Sequence, residues 1–418
     1  MAAGSTIIFN TATQAQANDF AGGTVVFDGS IKPVDISATD VPGTVLTNEA
    51  VTLTAGGHTL TFGADELNAS TLTFTGSDGH LYTGTAAVDT QTLLSTADDQ
   101  SVAYGFAGDD AFTVDATNTG SWIVDGGAGN DTIDFSAQTS TDTGHYLFGG
   151  AGDDTITGSA GNDHIFGNAL TSVAGAADGN DIITLGNGNN YVNGNAGDDT
   201  ITSGTGSNRI YGGAGDDDIT VLGGGANHVN GNKGDDTIDA SGATGNNDLH
   251  GGAGNDVITS GAGHDTLSGD LGDDHLIVHG TALDHHLTVL TGGDGADTFD
   301  FSAAGSAASV DINGTTVGAG TFGAHTFYQE VTDFTVGTDH LSINPTVTVD
   351  ATHDVDALAT NFANVSDAHQ AAVTALTGGD TVVATQVGAD TYLFYSGGDE
   401  VIKLDHTTAS SIDYHSFA

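Results

Sequence analysis

An aspartate recurs at the sixth position of a nine-residue unit through the middle of the chain. The members of this set are Asp110, Asp131, Asp154, Asp163, Asp181, Asp199, Asp217, Asp236, Asp256, Asp265, Asp274 and Asp297. A carboxylate on a one-carbon stem stays close to its backbone, where it either accepts turn N–H groups or joins carbonyl oxygens around a hard cation. For a single aspartate the turn role suffices. For a file of them in register it does not, because like charges repel unless a cation lies between them. Calcium accepts about 6–8 such oxygens in flexible geometry. The chemistry expected of this spacing is therefore the binding of several Ca2+ ions.

The unit that places these aspartates reads G-G-x-G-x-D-x-U-x, with U a large apolar residue, from about Gly105 to Asp300. Clear copies are GGAGNDTID at Gly126, GGAGDDTIT at Gly149, GSAGNDHIF at Gly158 and GNAGDDTIT at Gly194. Further copies are GGAGDDDIT at Gly212, GNKGDDTID at Gly231, GGAGNDVIT at Gly251 and GGDGADTFD at Gly292. Glycines at the first, second and fourth positions permit positive φ and close backbone approach, which makes a tight turn. The closing triplet is a short strand with U inward and its neighbours outward.

This nonapeptide resembles the calcium-binding repeat of the RTX (repeats-in-toxin) family. The resemblance covers nearly half the chain. It implies an all-β, right-handed parallel β-roll in which two nonapeptides complete one coil and stacking buries a thin apolar column. Counting in eighteens separates two edges. One opens at Gly158, Ala176, Gly194, Gly212, Gly231, Gly251 and Gly269, and its sixth positions run Asp163, Asp181, Asp199, Asp217, Asp236, Asp256 and Asp274. The other opens at Leu185, Ser203, Leu222 and Gly242 and carries Asn190, Asn208, Asn227 and Asn247, with Asp265 after them and Asp154 before. The first edge is expected to bracket calcium with carboxylates and turn carbonyls. The second is expected to form a stacked amide ladder, with occasional calcium as the alternative.

Composition narrows the function. Of 418 residues, 55 are acidic and four basic (Lys32, Arg209, Lys233, Lys403), for a net charge of −51. Phosphate binding needs basic residues, so nucleic acid is excluded as a partner, and bare anionic membranes repel such a chain. Four of the acids are glutamate (Glu49, Glu66, Glu330, Glu400). A generic halophilic coat would use both acids, so the aspartate excess favours ligand chemistry over simple solubility. The absence of cysteine removes disulfides, thiolate metal sites and cysteine nucleophiles. Met1 to Phe20 lacks a basic and then apolar leader, and no run reaches the roughly 18 apolar residues of a membrane span. The expectation is no membrane insertion, and a chain either intracellular or exported without an N-terminal signal.

The flanks must cap the roll. Residues 1–104 hold alternating segments at 58–62 and 71–75 and are expected to form a β domain, either an irregular solenoid cap or a small sandwich. Residues 105–300 are the roll. Residues 301–418 resemble the C-terminal region of serralysin-type proteases, RTX surface-layer proteins and related type I secretion substrates, over 331–341 and from 389 to the end. That likeness implies closing strands and an uncleaved export signal ending near Phe417. Between them, 354–376 carries Val355, Leu358, Phe362, Val365, Ala372, Val373 and Leu376 at helical spacing, which predicts an amphipathic helix. The loop with Asp284, His285 and His286 offers transition-metal donors, though a plain surface loop is the simpler reading.

No H-E-x-x-H helix, G-x-S-x-G elbow or P-loop is present, so protease, lipase and nucleotide chemistry are not expected. The leading expectation is a secreted, self-assembling subunit of a surface layer or extracellular matrix of a Gram-negative bacterium, its partners further copies of itself. A secreted adhesin binding cell-surface polysaccharide is the alternative, and an enzyme of unrecognised type the third.

Overall fold

A computed structural model describes residues 80–95, 100–169, 178–279 and 288–300 continuously, with strand segments and isolated residues outside them. The chain is all-β and divides into two units, 1–205 and 206–418.

In the first unit, triplets centred on an apolar residue stack as parallel strands. One sheet holds Thr90–Leu93, Ala111–Val114, Thr132–Asp134, Thr155–Thr157, Ile182–Thr184 and Thr200–Thr202. The other holds Leu81–Thr83, Ser101–Tyr104, Trp122–Ala128, Tyr146–Ala151, His164–Asn168 and Tyr191–Ala196. The register places like on like: Ile133, Ile156, Ile183 and Ile201 align in the first sheet, and Val124, Leu147, Ile165 and Val192 in the second. All eight are fully buried. One coil thus completes the interior that its neighbour lacks, which is why no single repeat is stable alone.

The first unit also holds the expected N-terminal strands. Ser5–Ile8, Gly23–Phe27 and Thr71–Phe74 form a parallel sheet, and Ser37–Val41, Ala50–Ala55 and His58–Gly63 an antiparallel one.

The second unit repeats the two-sheet coil. Ile219, Ile238, Ile258, Leu276, Phe299 and Leu341 line one sheet and Ile210, Val229, Leu249, Leu267 and Leu290 the other, all fully buried. The second sheet continues through Gln329–Val331 to Ile402–Leu404, where the pairing turns antiparallel with Asp390–Tyr395 and Val382–Val387.

The helix expected over 354–376 is corrected at its start. Val355–Phe362 is a strand, parallel to Val382–Val387, with a register shift between Ala357 and Asn361. A bulge breaks strict alternation and so imitates the three- and four-residue spacing of a helix. Residues 363–376, the rest of that segment, and the loop of His285 and His286 lie outside the described residues.

Candidate metal centre

The turns that lead from the second sheet to the first carry one file of aspartates in each unit. In each, the backbone N–H of one aspartate donates to Oδ1 of the aspartate one coil further on. In the first unit Asp110 donates to Asp131 at 2.7 Å, Asp131 to Asp154 at 2.7 Å, Asp154 to Asp181 at 2.8 Å and Asp181 to Asp199 at 2.8 Å. In the second unit Asp217 donates to Asp236, Asp236 to Asp256 and Asp256 to Asp274, each at 2.8 Å, and Asp274 to Asp297 at 3.0 Å. The same residues accept through their carbonyls from the strand one coil on, as Asp236 does from Val257 N–H at 2.8 Å. Each aspartate is thereby clamped to the next coil through both its backbone and its side chain.

The second carboxylate oxygen has no such use. Oδ2 of Asp110, Asp131, Asp154, Asp181, Asp236, Asp256 and Asp274 is buried and has no hydrogen-bond partner. It faces the first glycine of its own turn. A Cβ on Gly149 would collide with Asp154 Oδ2 and come within 2.6 Å of the Gly167 carbonyl. On Gly231 it would collide with Asp236 Oδ2 and reach 2.7 Å from the Gly251 carbonyl, and on Gly269 with Asp274 Oδ2 and 2.6 Å from the Gly292 carbonyl. Gly126, Gly212, Gly251 and Gly292 face the Oδ2 of Asp131, Asp217, Asp256 and Asp297 in the same manner, and the Gly194 carbonyl completes the cradle of Gly167 and Asp181. Glycine is needed here for space, whereas at the second and fourth positions it supplies positive φ, as at Gly150 (131°) and Gly152 (118°).

Burial dominates the electrostatics. It pushes Asp110, Asp154 and Asp181 up to about 8, Asp199 and Asp256 to about 7, and Asp131, Asp236, Asp274 and Asp297 to about 6. The donated backbone N–H offsets part of this, and neighbouring carboxylates add to it. A buried, unpartnered oxygen carrying charge is costly unless a cation answers it. Oδ2 atoms and turn carbonyls form an all-oxygen donor set with no nitrogen or sulfur, which fits calcium.

The opposite turns differ. Asp163 N–H donates to Asn190 Oδ1 at 2.8 Å in the first unit. In the second, the Nδ2 of Asn208 donates to Asn227 at 3.0 Å, that of Asn227 to Asn247 at 2.9 Å and that of Asn247 to Asp265 at 3.0 Å. This is the expected amide ladder. Its two carboxylates are answered by protein donors. Asp163 Oδ2 accepts from Ser159 N–H at 2.7 Å and from the Ser159 hydroxyl at 3.0 Å, and Asp265 Oδ2 from Gly261 N–H at 2.8 Å.

The edge assignment of Asp154 and Asp163 is thereby corrected. Asp163 and its turn glycine Gly158 lie on the asparagine edge and Asp154 on the aspartate edge. The reason is spacing: Asp154 to Asp181 and Asp163 to Asn190 are both 27 residues, one nonapeptide more than a coil. Counting in eighteens across 170–177 exchanges the edges. It also conceals Gly167, which stands where Ala176 was expected to open the turn of Asp181.

A second file escaped the sequence reading. At the fifth position, N–H groups donate to the preceding coil's side chain, outside the buried file. Asn130 donates to Asp109 at 2.9 Å, Asn180 to Asp153 at 2.9 Å, Asp235 to Asp216 at 2.8 Å and Asn255 to Asp235 at 2.7 Å. The signal was the Asn or Asp that precedes the sixth-position aspartate in most copies.

Parallel coils whose glycine turns aim an unanswered carboxylate oxygen inward define a metal-binding β-roll. The particular kind follows from comparison with known families. The RTX calcium-binding nonapeptide repeat (4 copies) matches residues 123–141, 146–169, 176–201, 193–224, 221–243 and 241–276. Residues 123–276 therefore carry RTX repeats, and these repeats bind Ca2+ at several copies. No curated protein matches the chain.

Proposed function

We propose that the protein is a secreted, calcium-dependent structural subunit that assembles with copies of itself into a surface layer or extracellular matrix. The observation that carries the calcium dependence is the file of buried Oδ2 atoms without partners. Bound calcium supplies the charge neutralisation that the chain lacks. The chain's residues do the rest: glycines leave room, carbonyls point into the cradle, and backbone N–H groups hold each Oδ1 in place. Where calcium is scarce the files repel, and the chain stays unfolded, as export through a narrow channel requires. RTX proteins are generally secreted by the type I route. Outside, calcium binds the folded roll alone, so binding free energy becomes folding free energy.

Self-assembly draws support from the −51 charge, which divalent cations bridging acidic faces would turn from repulsion into adhesion. Electron microscopy and light scattering of chelator-purified protein, before and after millimolar calcium, test this. Ordered sheets or filaments that dissolve on chelation are expected. Folded monomers at every concentration would overturn assembly and leave the calcium-gated roll standing.

A second reading, a carbohydrate-binding adhesin, is favoured by an aromatic column on the first unit. Tyr146 and His164 stack at 4.6 Å and 13°, and His164 and Tyr191 at 5.9 Å, on neighbouring strands. Such faces suit sugar rings. Glycan binding abolished by Tyr146→Ala would select this reading.

A further inference from the structure

The outer face of the second unit holds a cluster that the calcium file does not use. His228–Lys233, Asp248–Ala253 and Thr266–Leu271 are adjacent parallel strands, with His228 beside Asp248 and Asn230 beside His250. Val229 and Leu249 point into the core, so His228, Asp248 and His250 stand on the opposite face. His228 Nδ1 lies 2.9 Å from Asp248 Oδ2, and His250 Nε2 lies 3.2 Å from Asp248 Oδ1. One ligand atom from each residue falls within 4.8 Å of the others.

The other nitrogen of His250 faces a second carboxylate. Nδ1 is 3.2 Å from Asp270 Oδ2, and the Ser268 hydroxyl donates to Asp270 Oδ1 at 2.6 Å. A neutral imidazole carries one N–H. Given to Asp270, that hydrogen leaves Nε2 to a cation shared with Asp248 and His228, and a carboxylate behind the ring is the usual device for orienting a metal-bound imidazole.

We propose that His228, Asp248 and His250 bind a divalent transition metal of the zinc class, with Asp270 and Ser268 as positioning residues. Neighbouring ligands of tetrahedral zinc sit roughly 3.3 Å apart, given bonds of about 2.0–2.1 Å. His228 Nδ1 and His250 Nε2 reach different oxygens of Asp248, at 2.9 and 3.2 Å, and one ligand atom from each residue lies within 4.8 Å of the others, so side-chain rotation has to draw the three together around an ion. Two imidazoles select zinc, copper or nickel over calcium, so this site and the aspartate file do not compete. The side chains of His228, Asp248 and His250 keep 35%, 48% and 29% exposure, which gives an ion direct access and leaves a coordination position for water.

The test uses the full chain saturated with millimolar calcium, so that the aspartate files are filled before Zn2+ is titrated by calorimetry. One Zn2+ is expected to bind ahead of any weaker sites. His228→Gln and His250→Gln should each lower its affinity at least tenfold, and Asp270→Asn about 10- to 100-fold. Calcium-induced circular dichroism should be unchanged in each variant, and His285→Gln/His286→Gln should leave the site intact. Co2+ bound to the unaltered protein should give the intense visible bands of tetrahedral coordination, bleached by Zn2+, which keeps the test independent of whether a variant folds. Zinc affinity unchanged in the His228→Gln/His250→Gln double variant, zinc binding lost instead with His285 and His286, or an octahedral Co2+ spectrum would each overturn the proposal.

Discussion

The aspartates of this chain look alike in sequence and differ by one oxygen in structure. Asp256 leaves Oδ2 unanswered, whereas Asp265 gives it a backbone N–H from Gly261. Asp256→Asn is therefore expected to lower bound calcium by about one ion. Asp265→Asn should leave calcium stoichiometry unchanged. Equilibrium dialysis separates the two, and equal calcium loss from both would refute the distinction. The same burial sets a pH dependence. Folded pKa values of about 6 to about 8 exceed the ~3.9 of unfolded aspartate, so the folded roll holds more protons across that window. Calcium-free stability must then fall as pH rises through it. In chelator, β structure is expected at about pH 5 and lost by about pH 8, while calcium affinity runs the opposite way because ions and protons compete. A pH-independent circular dichroism signal in chelator would contradict this.

Elements show where sequence legibility ends. The apolar triplets around Ile133, Ile156, Ile238 and Ile258 were readable as strands because alternation and the fixed unit agree. The phase of Asp154 and Asp163 was not, because a 27-residue coil is indistinguishable by counting from one and a half ordinary coils. Parallel pairing extends to Leu81–Thr83, where no nonapeptide is present, since backbone ladders require no motif. The strand Val355–Phe362 was read as helix because a register shift distorts its alternation. Two substitutions probe the elements themselves. Asn227→Ala strips the acceptor from the N–H and amide of Asn208, at 2.9 and 3.0 Å, and should cost about 1–3 kcal/mol even with calcium present. Gly251→Ala drives a methyl into Asp256 Oδ2 and should cost a similar amount, about 1–3 kcal/mol, while also weakening calcium binding. Calcium-saturated urea melts measure both, and a Gly251→Ala protein with full affinity would remove the cradle from the site.

At the scale of the whole molecule, −51 charge admits two remedies, screening and site binding. Screening at ~1 M salt acts over about 3 Å through solvent and does not reach buried Oδ2 atoms. At about pH 8, sodium chloride at about 1 M in chelator is therefore expected to leave the roll unfolded, where millimolar calcium folds it. Folding by salt alone would mean that diffuse repulsion, and not the files, controls the structure.

The 27-residue coil has a consequence for how such a chain can change length. Both sheets stay aligned across it, since Ile156 still meets Ile183 and Ile165 still meets Val192. Nine additional residues between Asn168 and Ile182 leave that register unbroken. The same nine wound as half a coil would act as a frameshift, moving every downstream aspartate onto the amide edge and every asparagine onto the carboxylate edge. Duplication in eighteens preserves the frame, and duplication in nines destroys it unless the copy is expelled as a loop.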